Sequence, residues 1–189
     1  MKNKKYQIIY ADPPWKQTKG GLRRSRPNQD KDLDYPTLGL DRIIEILKEF
    51  DGKILFLWTI DKYLFDAQKI AELLGYKLHA RLIWDKGNGV APAFTVRFSH
   101  EYLLWFYKSP MFPIDKKVRG KYTTVIREKA IKHSKKPISA YELIESLYPN
   151  QKKIELFARN KRQGWDVWGK EVNSDIQLNS EGKFFSSQP

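Results

Sequence analysis

The sequence has no cysteine, only three histidines and no long apolar run, and each of these absences excludes a class of protein. Without cysteine there is no disulfide framework and no thiolate metal site. The histidines are scattered along the chain, so structural roles are expected for them and no metal site is predicted. Residues 1–5 are basic, but the apolar run after them is too short for a signal peptide or a membrane span. A reducing, cytoplasmic location without a membrane partner is therefore expected.

Acidic residues are scarce relative to basic ones: 22 Asp and Glu stand against 35 Lys and Arg, which gives a formal net charge of +13. Such an excess favours a polyanionic partner, because lysine and arginine near phosphates release counterions. Residues 16–31 hold six basic residues against one acid, and residues 116–136 hold nine against one. A run of like charge is most often a solvated surface. Two such runs, one starting directly behind Trp15, indicate a nucleic-acid partner.

The 189 residues, 41% of them hydrophobic, are enough for one globular domain with its own core. Strand-like and helix-like apolar periods alternate along the chain, which is typical of an α/β sheet. Strands are predicted at residues 8–11, 53–58, 78–84, 101–107, 122–126 and 154–158, helices at 40–50, 61–74 and 137–147, and long loops at 16–34 and 85–99. Residues 1–172 then form the domain, and the polar tail 173–189 is predicted to be disordered.

The segment Asp12-Pro13-Pro14-Trp15 directly follows the first predicted strand. Each proline fixes φ near about −65° and donates no backbone hydrogen bond, so the chain leaves the sheet in a rigid turn. Open α/β sheets bind ligands at the carboxyl ends of their strands. A carboxylate, a proline carbonyl and a flat ring suit a planar base with an exocyclic amino group. A simple turn with Trp15 as a core residue explains the segment equally well.

Three segments in this order resemble the MT-A70 family of S-adenosylmethionine-dependent adenine-N6 methyltransferases. They are the Asp-Pro-Pro-Trp motif, residues 133–137, and residues 153–159 followed by 164–172. Residues 35–37, 55–58 and 83–86 also resemble family positions, so the resemblance covers residues 6–172. The family includes the eukaryotic mRNA enzyme and many bacterial and phage DNA enzymes. Like this chain, it has no Gly-x-Gly-x-x-Gly loop.

The resemblance implies a fold and a cofactor. The fold is a Rossmann-like class I methyltransferase, with a mostly parallel central sheet, helices on both faces, and the catalytic strand placed before the cofactor strand (a permuted order). The cofactor is S-adenosylmethionine. Lys136 resembles the lysine that contacts the methionine carboxylate, and it precedes a predicted helix start, where free amides favour an anion.

The resemblance also implies roles for single residues. The Asp12 side chain and the Pro13 carbonyl would accept hydrogen bonds from the target amine, with Trp15 packing on the base. The motif as a whole, with Pro14, is predicted to be catalytic. Cofactor contacts are implied for Asp12, Lys136, Phe157, Arg159, Lys170 and Glu171. Lys170 stands where the family has asparagine, and a lysine donates but cannot accept a hydrogen bond.

Contacts with the nucleic acid are expected at basic and aromatic residues near the motif and near the second long loop. These are Trp15, Lys16, Lys19, Arg23, Arg24, Tyr35, Lys86 and Arg97. For Arg97 with His100 and Glu101, a buried salt bridge that braces a loop is an equally good interpretation.

We therefore predict S-adenosylmethionine-dependent methylation of adenine N6 in DNA. DNA is preferred to RNA because the compact chain carries no RNA-recognition appendage and suits a small prokaryotic or phage-encoded enzyme. Three alternatives remain: an RNA adenine methyltransferase, a cytosine-N4 methyltransferase with the same acceptor chemistry, and a non-catalytic nucleic-acid-binding subunit. Asp12 and Trp15 argue against the last. A short or degenerate recognition site is expected, as is a homodimer or a family-related partner subunit.

Overall fold

A computed structural model describes residues 6–16, 38–90, 96–130, 135–178 and 184–185, without the side chains of 88–90 and 184–185. The strands in these ranges are β1 (Ile8–Ala11), β2 (Ile54–Thr59), β3 (Lys77–Val90), β4 (Phe98–Tyr107), β5 (Val125–Arg127), β6 (Lys153–Leu156), β7 (Trp165–Trp168), β8 (Gln177–Leu178) and β9 (Phe184–Phe185). The helices are α1 (Leu40–Lys48), α2 (Leu64–Leu73) and α3 (Ile138–Leu147), with short 3-10 turns at Asp61–Tyr63 and Lys116–Val118.

Seven strands form one sheet in the order β5-β3-β4-β2-β1-β6-β7, and β8 and β9 form a separate antiparallel pair. Within the large sheet β4 runs antiparallel to both of its neighbours, and every other pair is parallel. Six strands therefore end at the same edge of the sheet, which we call the carboxyl edge. The predicted mostly parallel α/β architecture is confirmed.

Strand β1 lies in the middle of this sheet between β2 and β6, and all four of its residues are buried. It is apolar throughout because both of its faces are covered, as parallel sheets require. Ile9 and Ala11 pack on the face covered by α1 and α2, whereas Ile8 and Tyr10 pack on the face covered by α3. The predicted helices on both faces are thus also confirmed, and the residue after Ala11 is delivered to the centre of the carboxyl edge.

Each helix covers the sheet with a stripe of small or branched apolar residues. The buried residues are Ile43, Ile46 and Leu47 in α1, Ala67, Ile70 and Ala71 in α2, and Ala140, Leu143, Ile144 and Leu147 in α3. Their spacing of three and four residues is the period that predicted these helices. No helix within the described ranges is long and apolar enough to cross a membrane.

The predicted loop at 85–99 is wrong at both ends, because β3 continues to Val90 and β4 begins at Phe98. The pairing of the two strands shifts between Asp85 and Val90, which is a bulge, and Gly87 has a φ of 62° there. Between these two pairs β3 advances five residues and β4 only two, so the extra residues interrupt the alternation of side chains and hide the strand from a periodicity argument.

The predicted disordered tail is wrong for residues 173–178. Ile176 is buried in the core, and Asp175 accepts a hydrogen bond from the Val167 amide and donates its own amide to the Val167 carbonyl. These bonds fix the segment along β7, itself a short strand that the sequence did not reveal. The domain therefore extends beyond the predicted boundary at residue 172.

Candidate active site

The Asp-Pro-Pro-Trp motif leaves the carboxyl edge in a tight turn fixed by backbone hydrogen bonds. The Asp12 amide donates to the Leu156 carbonyl of β6 at 3.3 Å, and the Trp15 amide donates to the Pro13 carbonyl at 2.8 Å. The Pro14 carbonyl accepts from the Leu38 amide at 3.0 Å. A carbonyl oxygen has two lone pairs, so Pro13 keeps one for a further donor, as its predicted role requires.

Four charged side chains from distant parts of the chain form a row at this edge. Lys136 Nζ lies 3.0 Å from Asp12 Oδ1 and 2.7 Å from Glu101 Oε2. Lys86 Nζ lies 3.2 Å from Glu101 Oε1. We call these residues the charged row. Trp58 lies below it, with its ring centroid 5.0 Å from Lys136 Nζ.

Burial and charge act against each other in the charged row. Burial is the largest influence on Asp12 and raises the pKa of its carboxyl, although Lys136 acts in the opposite direction. Burial by itself would also raise the pKa of Glu101. Lys136 and Lys86 together outweigh this effect, so the pKa of Glu101 is lowered. Burial by itself would lower the pKa of Lys136. Asp12 and Glu101 outweigh this effect, so the pKa of Lys136 is raised. The lysine is therefore held charged, and Asp12 is the carboxyl closest to accepting a proton.

A second buried carboxyl, that of Glu155, lies on β6, where Glu155 pairs in register with Tyr10 of β1. Glu155 is 7% exposed, and its Oε1 accepts a hydrogen bond from the Tyr141 hydroxyl at 2.9 Å. Burial raises the pKa of Glu155 to about 7, with Asp12 adding to the rise and the Tyr141 hydrogen bond opposing it. Tyr10 and Tyr141 are in ring contact, with centroids 4.8 Å apart. This carboxyl therefore changes charge near neutral pH.

Trp15 is a core residue rather than an exposed ring. It is 4% exposed, its indole nitrogen donates to the Trp58 carbonyl at 2.9 Å, and its ring stacks on Tyr63 with centroids 5.3 Å apart. These contacts favour the alternative that Trp15 is a core element of the turn. Packing of its ring on the target base stays a prediction.

The segments predicted to contact the ribose are held side by side. Phe157 follows β6 with a φ of 64°, unusual for a residue with a side chain, and its ring contacts Trp168. Arg159 Nε lies 3.6 Å from Glu171 Oε1. A Cβ on Gly169 would lie 2.1 Å from the Ala158 carbonyl oxygen, so only glycine permits this approach.

Lys170 is exposed at the end of this group, next to Glu171. The structure thus brings together Phe157, Arg159 and Glu171, on the same edge of the sheet as Asp12, and leaves Lys170 at the rim. The donor set fits the cofactor that the resemblance implies: a buried lysine for a carboxylate, and an arginine with a glutamate for ribose hydroxyls.

The start of α3 differs from expectation. The Glu128 carboxylate accepts hydrogen bonds from the amides of Ile138 and Ser139, both at 2.9 Å, and from the Ser139 hydroxyl. The free amides that were predicted to favour an external anion are therefore occupied by a group of the protein itself. Lys136 remains in place to bind an anion at this point.

The predicted nucleic-acid contacts are only partly covered by the described residues, because Lys19, Arg23, Arg24 and Tyr35 lie outside them. Lys16 is exposed, and its carbonyl accepts a hydrogen bond from the Tyr63 hydroxyl. Arg97 is exposed just before β4. Lys86 is a member of the charged row rather than an isolated surface lysine.

Sequence reasoning left Glu155 out of the site and left Glu101 undecided. The signal for Glu155 is an acidic residue inside the otherwise apolar run Ile154 to Leu156, since a buried strand seldom carries an unpaired charge. Within the described ranges no group of three or more His, Asp or Glu side chains is arranged to hold a metal ion.

The mostly parallel sheet, with a carboxylate and a lysine meeting at its carboxyl edge, is consistent with a Rossmann-like methyltransferase fold. The family model MT-A70 matches residues 6–171, and the chain belongs to this family. It is therefore an S-adenosylmethionine-dependent N6-adenine methyltransferase.

Individual relatives differ in how much of their length they share with the chain. The Type II methyltransferase M.MunI of Mycoplasma sp is 29% identical over 201 residues, which cover 97% of this chain and 85% of that protein. An N(6)-adenosine-methyltransferase MT-A70-like protein of Arabidopsis thaliana is 26% identical over 97% of this chain. The N(6)-adenosine-methyltransferase catalytic subunit METTL3 of Homo sapiens is 29% identical over 89% of it. The chain spans only 26% and 28% of those two proteins.

Proposed function

We propose that the chain methylates adenine N6 in DNA, with Asp12 and Pro13 holding the amine and Lys136 holding the methionine carboxylate of the cofactor. The contact of 3.0 Å between Lys136 Nζ and Asp12 Oδ1 supports this proposal most directly, because the two residues proposed as anchors are in contact. DNA is proposed because the family includes many bacterial and phage DNA enzymes and the compact chain resembles a small prokaryotic enzyme. One relative that the chain matches over 85% of its length is the Type II methyltransferase M.MunI of Mycoplasma sp.

The residues address the main difficulty of the reaction, the weak nucleophilicity of an aromatic amine. Its lone pair is delocalised into the ring, and two acceptors on its hydrogens favour a pyramidal nitrogen with the lone pair available. When bound, the cofactor supplies a methyl group on a positively charged sulfur. Correct positioning of two reactants is worth at most about 7–11 kcal/mol. Asp12 must be ionised to accept fully, and Lys136 is the neighbour that favours the ionised form.

The charge of the chain supports a polymeric substrate. The net charge of +13 and the exposed Lys16 and Arg97 near the carboxyl edge favour phosphates. If the target is duplex DNA, the adenine must leave the helix to reach Asp12. The homodimer and the cytoplasmic location expected from the sequence stay predictions, and light scattering on the purified protein tests the first.

The test is methyl transfer from labelled S-adenosylmethionine to duplex DNA, single-stranded DNA and RNA of the same sequence, with the methylated nucleoside identified. We expect N6-methyladenine in DNA, and Asp12→Asn is expected to lower the rate by at least about a hundredfold. Asp51→Asn is the matched control, because Asp51 is exposed at the opposite edge of the sheet, where it pairs with Lys108. Transfer to RNA alone would contradict the choice of DNA, and undiminished transfer by Asp12→Asn would contradict the role of Asp12.

A further inference from the structure

Glu128 is bound to the first turn of α3 although it lies far from that helix in sequence. Its two carboxylate oxygens accept the amides of Ile138 and Ser139, ten and eleven residues further along the chain. A helix start usually receives such a bond from the residue just before it. That position is occupied by Pro137, which makes no side-chain hydrogen bond to the helix. Glu128, which directly follows β5, caps the helix instead.

The backbone of Glu128 is fixed as firmly as its side chain. Its carbonyl accepts a hydrogen bond from the Trp84 indole nitrogen at 2.7 Å, and the preceding Arg127 pairs with Asp85 on β3. The Ala130 amide donates to the Lys86 carbonyl at 3.4 Å. Glu128 therefore joins the end of the edge strand β5, its neighbour β3 and the start of α3 in one place.

This junction determines where Lys136 lies. Lys136 precedes Ile138 by two residues, so the bond between Glu128 and the Ile138 amide ties the chain next to Lys136 to the sheet. The same junction holds Trp84 and Lys86. Lys86 belongs to the charged row, and its Nζ lies 5.9 Å from the Trp84 ring centroid. The carboxylate also occupies the helix amides, so a second carboxylate that enters this edge meets Lys136 and not the helix start.

We propose that Glu128 is a positioning residue, which holds Lys136 where the methionine carboxylate of the cofactor binds. The proposal rests on the role of Lys136 given above. Glu128 does not touch the cofactor in this arrangement. Its contribution is specific to the amino-acid end of the cofactor, since Lys136 is the group that it places.

Calorimetric binding of two ligands tests the proposal: S-adenosylmethionine, and 5′-deoxy-5′-methylthioadenosine, which keeps the adenosine and the methylated sulfur, as a neutral thioether, but has no amino-acid group. We expect Glu128→Ala to weaken binding of S-adenosylmethionine about tenfold, and to leave the shorter ligand within about twofold. Glu128→Gln keeps one acceptor and is expected to restore part of the loss. Glu142→Ala is the control, because Glu142 is exposed on the same helix.

Lys136→Met separates this proposal from the proposed function. If Lys136→Met weakens both ligands equally, the role of Lys136 is wrong. The other case is that Lys136→Met weakens binding of S-adenosylmethionine more than binding of the shorter ligand. If Glu128→Ala then weakens binding of both ligands equally, or of neither, only the role of Glu128 is overturned. In the double variant, Glu128→Ala is expected to add nothing to the loss that Lys136→Met causes in the affinity for S-adenosylmethionine relative to the shorter ligand. A further loss of that relative affinity overturns the positioning role.

Discussion

Lys136 Nζ and Asp12 Oδ1 lie 3.0 Å apart, so the residue proposed to anchor the cofactor and the residue proposed to anchor the amine form an ion pair with each other. Under this proposal one lysine acts on the charge of the acceptor as well as on the binding of the cofactor. Glu101 holds the same lysine from the opposite side at 2.7 Å.

Lys136→Met is expected to raise the KM for S-adenosylmethionine at least tenfold and to move the acid limb of the rate profile to higher pH. Without the ammonium group, burial and Glu101 both act to raise the pKa of Asp12. A profile of kcat/KM between pH 5 and 9 measures the shift. Lys108→Met is the control, since Lys108 also pairs with an aspartate but at the opposite edge. An unchanged acid limb would show that Lys136 does not control the ionisation of Asp12.

Glu155→Gln is expected to stabilise the protein more at pH 8 than at pH 5. The pKa of Glu155 is raised from 4.5 to about 7 in the fold, so the folded state binds more protons than the unfolded state between these values. The contribution of this group to stability therefore falls as pH rises through that window, and it is constant above it. The full change is about 3 kcal/mol, and glutamine can still accept the hydrogen bond from Tyr141.

Urea unfolding of both proteins at several pH values measures this difference. Glu142→Gln is the control, because Glu142 is an exposed glutamate on α3. A constant difference between Glu155→Gln and the parent protein from pH 5 to pH 8 would mean that Glu155 is ionised throughout.

Trp15→Phe is expected to lower stability by about 1–3 kcal/mol, because it removes the hydrogen bond to the buried Trp58 carbonyl. The phenyl ring can still stack on Tyr63. Because the ring is a core element, the KM for DNA is expected to change less than twofold once the folded fraction is accounted for. Urea unfolding and steady-state kinetics measure the two effects. A large rise in KM without loss of stability would restore the role of Trp15 as a surface for the base.

Gly169→Ala is expected to weaken cofactor binding and to destabilise the fold by at least about 2 kcal/mol. Its Cβ would lie 2.1 Å from the Ala158 carbonyl oxygen and 2.8 Å from the Ala158 nitrogen, so the segments that carry Arg159 and Glu171 must separate. Gly39→Ala is the control, because a Cβ there meets nothing within 4 Å. Equal cofactor affinity in both variants, measured by calorimetry, would show that the spacing of these segments is not important for binding.

Local patterns predicted much of the fold and the position of the motif. The apolar run Ile8–Ala11 and the two prolines after it are adjacent in sequence, so their consequence for the chain direction can be read directly. The helices followed in the same way from their spacing. The bulge in β3 could not be predicted, because it breaks the alternation on which strand prediction depends.

The contacts of the site are less accessible to sequence reasoning. Glu101, Glu128 and Lys136 come from β4, the end of β5 and the start of α3, and only the strand order brings them together. The role of Trp15 depended on which way its ring turns after the prolines. Its four-residue context suited a core position and a ligand surface equally, and the contacts with Trp58 and Tyr63 favour the core position.

The reversed direction of β4 makes the position of Glu101 independent of the length of the connection between β3 and β4. Because β4 is antiparallel to β2, Glu101 reaches the carboxyl edge from the first part of its strand, and its height there is set by the pairing of Thr59 with Tyr102. The connection from β3 to β4 can therefore gain or lose residues without moving Glu101. A change of length in that connection and a change in the charged row are thus independent of each other.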